Sequence, residues 1–287
     1  MQTANKYLSL IKFSHTIFAL PFAMIGFFLA IQSTNHQMDW IKLLLVTLCM
    51  VFARSAAMAF NRYADQDIDA KNERTKIREI PSGTLLSKSV LIFTIINALL
   101  FILCTYFINP ICFYLSPVAL LIILGYSYTK RFSAFAHFIL GIGLSLAPIG
   151  AYLAVTGVFN IIPLIFSAIV LFWVAGFDII YALQDESFDK TLKLHSIPSW
   201  LGKKNALKVS DAAHLFTGSL ILFLGYYAHF GLLYWIGSLI FVFLLAYQHK
   251  LVKPNDLSKI NLAFFTTNGI ASVVFAIFVI ADLYWKV

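Results

Sequence analysis

Residues 132–177 read FSAFAHFILGIGLSLAPIGAYLAVTGVFNIIPLIFSAIVLFWVAGF, a run without one Asp, Glu, Lys or Arg. It is long enough for two bilayer crossings at about 20 residues each. In lipid only helices and closed barrels satisfy every backbone N–H and C=O, and this run lacks the alternation of a barrel strand. Uncharged runs at 89–108, 111–129 and 212–249 repeat the pattern. The fold class is therefore all-α, a polytopic membrane bundle. Composition agrees: 60% hydrophobic and only 12% charged excludes an ordinary soluble globule.

The breaks between apolar runs predict about nine spans, near 14–32, 40–60, 89–108, 111–129, 134–156, 161–182, 211–229, 231–248 and 261–283. No linker interrupts them, so residues 1–287 are expected to form a single integral-membrane domain. Of the 21 Lys and Arg, all but Lys42, Lys286 and Arg54 fall in alternate connections, which the positive-inside rule makes cytoplasmic. The formal charge of +8 thus reports topology, and no basic domain for nucleic acid is present. The first apolar run follows a short polar stretch without a small-residue cleavage site, so it is expected to stay as an anchor. Cys49, Cys104 and Cys112 lie in or beside apolar runs without metal-ligand spacing, and they read as core residues. Gly141, Gly143, Gly150 and Gly157 punctuate the fifth span, as close helix packing requires.

The chemistry gathers in the two largest connections, 61–88 and 183–210, each an acidic cluster followed by basic residues. Asn61, Asp65 and Asp69 are four residues apart, so on a helix they share one stripe, whereas Arg62 and Asp67 point elsewhere. Asp178, Tyr181, Asp185 and Asp189 make a second stripe. For either cluster alone, solvated helix ends are the plainer alternative. Together they suit divalent cations bound through oxygen and, through them, a diphosphate. The similarity of the two segments suggests an internal pseudo-repeat. Asp178 follows Phe172, Trp173, Val174 and Phe177, where an unpaired ionised group is costly. Arg54 lies two turns before Asn61 inside an apolar segment; it is either an ion pair with another span or a guanidinium for an organic anion.

The stretch NRYADQDIDAKNERTKIREIPSG (61–83) resembles the first signature of the UbiA superfamily of intramembrane aromatic prenyltransferases, Asn-Asp-x-x-Asp-x-x-x-Asp followed by Arg-x-x-Pro-Ser-Gly. DIIYALQDESFD (178–189) resembles the second, Asp-x-x-Tyr-x-x-x-Asp-x-x-x-Asp. Arg62 departs from the pattern, standing where many members carry Asp. The resemblance implies a nine-helix bundle. It also implies that Asn61, Asp65, Asp69, Asp185 and Asp189 hold Mg²⁺ against the diphosphate of a polyprenyl donor, the four aspartates acting in catalysis. Lys130 and Arg131 resemble the diphosphate-facing basic pair, with plain positive-inside anchoring as their alternative. Arg54 and Asn61 match the pair contacting the aromatic acid in the 4-hydroxybenzoate branch. Lys12 and Arg78 are further candidates for the anionic head group, and Asp178 and Tyr181 complete the substrate-binding set.

The expected reaction is Mg-dependent transfer of a polyprenyl group to an aromatic acid of the 4-hydroxybenzoate type in quinone biosynthesis, at the cytoplasmic side of a bacterial inner membrane. Some of the 28 Phe and 13 Tyr would line a dry path for the prenyl tail. A dihydroxynaphthoate-type acceptor, leading to menaquinone, is the alternative within the enzyme reading. A secondary transporter is the alternative class, although transporter sites usually lie nearer the bilayer midplane. Beyond substrates and membrane lipid, nothing identifies a protein partner.

Overall fold

The structure, a computed structural model, describes residues 2–11, 18–34 and 37–285. Lys12 and Lys286 lie outside the described residues, as does the start of the first expected span. In chain order the helices are α1 (Gln2–Ile11), α2 (Leu20–Thr34), α3 (Trp40–Ala64), α4 (Gln66–Asp69), α5 (Ser87–Ile108), α6 (Pro110–Thr129), α7 (Ala136–Thr156), α8 (Ile161–Ala182), α9 (Glu186–Thr191), α10 (Ile197–Tyr227), α11 (Leu232–Leu251) and α12 (Asn268–Tyr284). A π-helical turn, Leu262–Thr267, leads into α12. Eight helices are long and apolar enough to cross a membrane, and α2 is a shorter apolar helix. These match the nine expected spans.

Short polar residues set the helix starts. Asp39 accepts from Lys42 N at 2.9 Å to cap α3, and Asn109 accepts from Cys112 N at 2.9 Å to cap α6, whose first residue is Pro110. Asn160 caps α8 by accepting from Ile162 N at 3.0 Å. At Gly157 the left-handed φ of 69° ends α7, a conformation glycine adopts without a Cβ clash. The turns around 109–110, 157–160 and 230–231 fall between the expected spans.

In the interior, α8 lies against α7 and α10, α2 against α7, α3 against α5, and α11 against α12. Trp173 is fully buried among Phe22, Phe166, Phe241 and Phe275. Outward, Leu99, Leu121 and Phe243 are exposed, as lipid-facing side chains are. Close approach explains one glycine of the fifth span: a Cβ at Gly141 would stand 2.4 Å from the Leu171 carbonyl oxygen. Gly143 and Gly150 instead border a cavity of about 380 Å³ between α3, α5, α6 and α7. Cys49 and Cys104 are buried, and Cys112 half-buried, all with free thiols. Two of them, Cys49 and Cys112, face the same cavity.

The segment 183–210 differs from the expected loop. A 3₁₀ turn (Leu183–Asp185) joins α8 to α9, and α10 begins at Ile197, well before the expected span at 211. Ser196 and Ser199 cap each other reciprocally and Pro198 sits in the first turn, a strong helix start hidden among lysines. Gly202, at φ 75°, kinks α10 before it enters the apolar region.

Candidate active site

The stripes foreseen as helical are each broken once, at the same place. α3 ends at Ala64, and Asp65 takes φ −99° and ψ 6° before α4 begins. Helical spacing survives the break, since Asp65 N donates to Asn61 O at 3.0 Å and Asp69 N to Asp65 O at 2.8 Å. In the second motif Asp185 takes φ −99° and ψ 2° before α9. Matching breaks at matching residues support the internal repeat.

The ends of α3, α6 and α8 meet at one end of the bundle. Asp65, 1% exposed, accepts from Asn61 Nδ2 at 3.1 Å and lies 2.7 Å from Lys130 Nζ. Arg131 stands 3.8 Å from Asp65 Oδ1, and its Nη2 donates to the Ala64 carbonyl. Burial pushes the Asp65 carboxyl above the usual carboxylate range, against the opposing pull of Lys130. Asp69, also buried, receives Arg78 Nη1 at 2.7 and 2.8 Å.

Asp185 binds across to the first motif. Arg74 donates to it through Nε at 3.2 Å and Nη2 at 2.5 Å, and Asn72 Nδ2 donates at 3.2 Å. Burial opposes the Arg74 charge, but Asp185 more than compensates and its pKa rises. Arg74 Nη1 also donates to the Tyr181 hydroxyl at 3.3 Å, with the guanidinium 5.5 Å above that ring. Asp189 accepts from Ser196 Oγ at 2.8 Å and lies within electrostatic reach of Lys130. His195 N donates to the Lys130 carbonyl at 2.7 Å, joining the α6–α7 connection to the segment between α9 and α10.

Asp178 finds its partner in His137, whose Nδ1 lies 2.7 Å from Oδ2. Ile197 N donates to His137 Nε2 at 3.4 Å, so Nδ1 carries the proton of the neutral ring and donates to Asp178. Arg54 forms no ion pair among the described residues. Its Nε is buried without a hydrogen-bond partner, and the side chain borders the 380 Å³ cavity beside Tyr126. Arg62 leaves the ligand stripe as expected and is buried 3.9 Å from Glu79.

Asn72, Arg74, His137 and Ser196 join the site without standing out in the sequence. Asn72 had a signal, since it stands three residues after Asp69. Arg74 was one cation among several in its loop, and an uncharged His in an apolar span carries no signal of its partner.

Among the described residues no three His, Cys, Asp or Glu side chains converge into a metal-holding group. Each carboxylate is held instead on a cation, a histidine or a hydroxyl. The donor set nevertheless fits a hard divalent cation: it is oxygen throughout, and Asp65 Oδ1 is buried with no hydrogen-bond partner.

A polytopic helical membrane protein with paired acidic breaks above an apolar cavity is the class these features define. The chain belongs to the UbiA prenyltransferase family, whose model matches residues 19–270. It is 30% identical to the 4-hydroxybenzoate octaprenyltransferase of Vesicomyosocius okutanii over 240 residues, 82% of this chain and 86% of that one. Identity to the protein of the same name from Nitrosospira multiformis is 28% over 234 residues, 82% of this chain and 80% of that one. The apo structure of a UbiA homolog from Aeropyrum pernix K1 matches with TM-score 0.84 at 29% identity, covering 93% of this chain and 98% of that one. A UbiA homolog from Archaeoglobus fulgidus bound to GPP and Mg²⁺ shares the fold, with TM-score 0.70 at 22% identity over 98% and 100% of the two chains.

Proposed function

We propose that this protein transfers a polyprenyl group from an allylic polyprenyl diphosphate to a ring carbon of a 4-hydroxybenzoate-type acid, with Mg²⁺, on the cytoplasmic side of a bacterial inner membrane in quinone biosynthesis. The observation that carries the reading is the joining of the two acidic segments by Arg74 to Asp185, with Lys130 on Asp65 and within electrostatic reach of Asp189, above a cavity that presents Arg54. The names of the relatives and the Mg²⁺ and GPP of the Archaeoglobus homolog support it.

Asn61, Asp65, Asp69, Asp185 and Asp189 would hold Mg²⁺ together with the donor diphosphate. Bound there, the ion neutralises charge on the departing diphosphate. Lys130, Arg74 and Arg78, now resting on carboxylates, turn to the phosphate oxygens and take up the charge that develops as the allylic C–O bond breaks. Tyr181 steadies Arg74, and Arg131 adds to the basic edge. The apolar walls keep water from the allylic carbon and receive the prenyl tail. Arg54 anchors the acceptor carboxylate, pointing the ring carbon beside the hydroxyl at the allylic carbon. That carbon forms the new C–C bond, and the ring proton leaves to a carboxylate of the second motif, Asp185 or its neighbour Asp178.

The test is the mass of the product formed by purified protein given Mg²⁺, 4-hydroxybenzoate, a dihydroxynaphthoate and prenyl diphosphates together. A prenylated 4-hydroxybenzoate is expected. A prenylated naphthoate would reassign the acceptor, and the absence of product with any combination would overturn the reading.

A further inference from the structure

Away from the acidic breaks, α8, α10, α11 and the start of α12 enclose a hydrogen-bonded network that the reaction above does not use. His214, 4% exposed, has Nε2 3.1 Å from the Trp173 carbonyl. A carbonyl only accepts, so Nε2 carries the proton and Nδ1 of the neutral ring accepts. It receives His249 Nε2 at 2.6 Å and Gln248 Nε2 at 3.4 Å. Gln248 Oε1 accepts from Asn268 Nδ2 at 3.2 Å, and Asn268 Oδ1 accepts from the Trp173 indole N–H at 2.8 Å. The loop closes on Trp173, one residue held at both its carbonyl and its indole.

Asn268 also reaches the π-helical turn, donating to the carbonyls of Ala263 at 3.0 Å and Phe264 at 2.9 Å. A π turn widens the helix and shifts its hydrogen bonds by one residue, which gives a side chain access to carbonyls that an α-helix keeps paired. The ring carried by this turn touches the site. Phe264 lies against Tyr181 with centroids 4.2 Å apart at 31°, and against Phe177 at 5.4 Å. Tyr181 in turn receives Arg74, which clamps Asp185.

We infer that Asn268 and Phe264 are positioning residues: the buried network fixes the π turn, the turn holds the Phe264 ring on Tyr181, and Tyr181 so held keeps Arg74 beside Asp185, from where it turns to the diphosphate. Trp173, His214, Gln248 and Asn268 are linked by directed hydrogen bonds, so the network has discrete geometry and transmits a shift. The inference rests on the proposed diphosphate role of Arg74 and Asp185. It separates the two substrates, because Arg54, proposed for the acceptor, sits on α3 outside the network.

The test compares Phe264→Leu, Phe264→Tyr and Asn268→Leu with the native protein, each purified as the monodisperse folded fraction. Binding of Mg²⁺–geranyl diphosphate is measured by calorimetry, and KM for donor and acceptor by turnover. Phe264→Leu and Asn268→Leu are expected to weaken donor binding and raise donor KM about tenfold while acceptor KM stays within about twofold, with Phe264→Tyr restoring the native values. Native donor affinity in both leucine variants would overturn the inference, as would equal increases in both KM values. Failure of the native protein to bind the donor would instead overturn the diphosphate reading itself.

Discussion

Asp65 and Asp185 share one backbone conformation, φ −99° with ψ 6° and 2°, each between a long apolar helix and a short acidic one. The break turns each carboxylate off its helix while keeping the four-residue step to the next aspartate. Lys130 and Arg74 then hold the pair to the rest of the site at 2.7 and 2.5 Å.

The two members of the basic pair are not equivalent. Lys130 touches Asp65 at 2.7 Å, whereas Arg131 stands at 3.8 Å and is more exposed. Charge-assisted contacts within a sheltered site contribute about 1.5–3 kcal/mol, and exposed pairs far less. Lys130→Gln is therefore expected to lower kcat/KM for the donor by about 10- to 100-fold, and Arg131→Gln by under about fivefold. Steady-state kinetics at fixed acceptor checks the ranking, and equal losses would speak against it.

Arg54 makes a different prediction, because the protein leaves its Nε buried without a partner. A charged group kept in that condition costs stability, so Arg54→Met is expected to leave Tm unchanged or raise it. The same variant should raise acceptor KM by about tenfold or more and leave donor affinity near native. Thermal denaturation in detergent alongside both KM values tests this; a fall in Tm with unchanged acceptor KM would assign Arg54 to structure.

Much of this site was legible in the sequence, and the reason is covalent: Asn61, Asp65 and Asp69 are neighbours along one segment, as are Asp178, Tyr181, Asp185 and Asp189. Spacing alone puts each set on one stripe. Uncharged runs likewise marked the helices, since lipid tolerates few alternatives. The contacts between motifs were not legible. Arg74 reaches Asp185, and His137 reaches Asp178, only through tertiary packing that no local pattern encodes. The early start of α10 was disguised by Lys203, Lys204 and Lys208, which read as loop, although Ser196, Pro198 and Ser199 carried the capping signal. The breaks at Asp65 and Asp185 escaped because a stripe of i, i+4 residues looks the same with or without them.

Acidification tests the burial of Asp65. Its carboxyl is lifted above the ordinary range of about 3.9 by desolvation, so it takes up a proton at a higher pH than an exposed aspartate. The ionised form is the one that ligates a cation. Mg²⁺-dependent donor affinity therefore declines as pH falls, starting before exposed aspartates titrate. Asp65→Asn removes this group, and the remaining affinity should lose that part of the pH response. Calorimetric titrations across the weakly acidic range check it, and an identical pH profile in the variant would contradict it.

The claim that the two breaks grip one ligand is tested most directly by a double-mutant cycle on Mg²⁺–geranyl diphosphate binding with Asp65→Asn and Asp185→Asn. Each single variant is predicted to lose most of the affinity, and the double variant to lose much less than the sum of the two. Native affinity in either single variant, or strictly additive losses, would show that the two acidic breaks do not act on a common diphosphate.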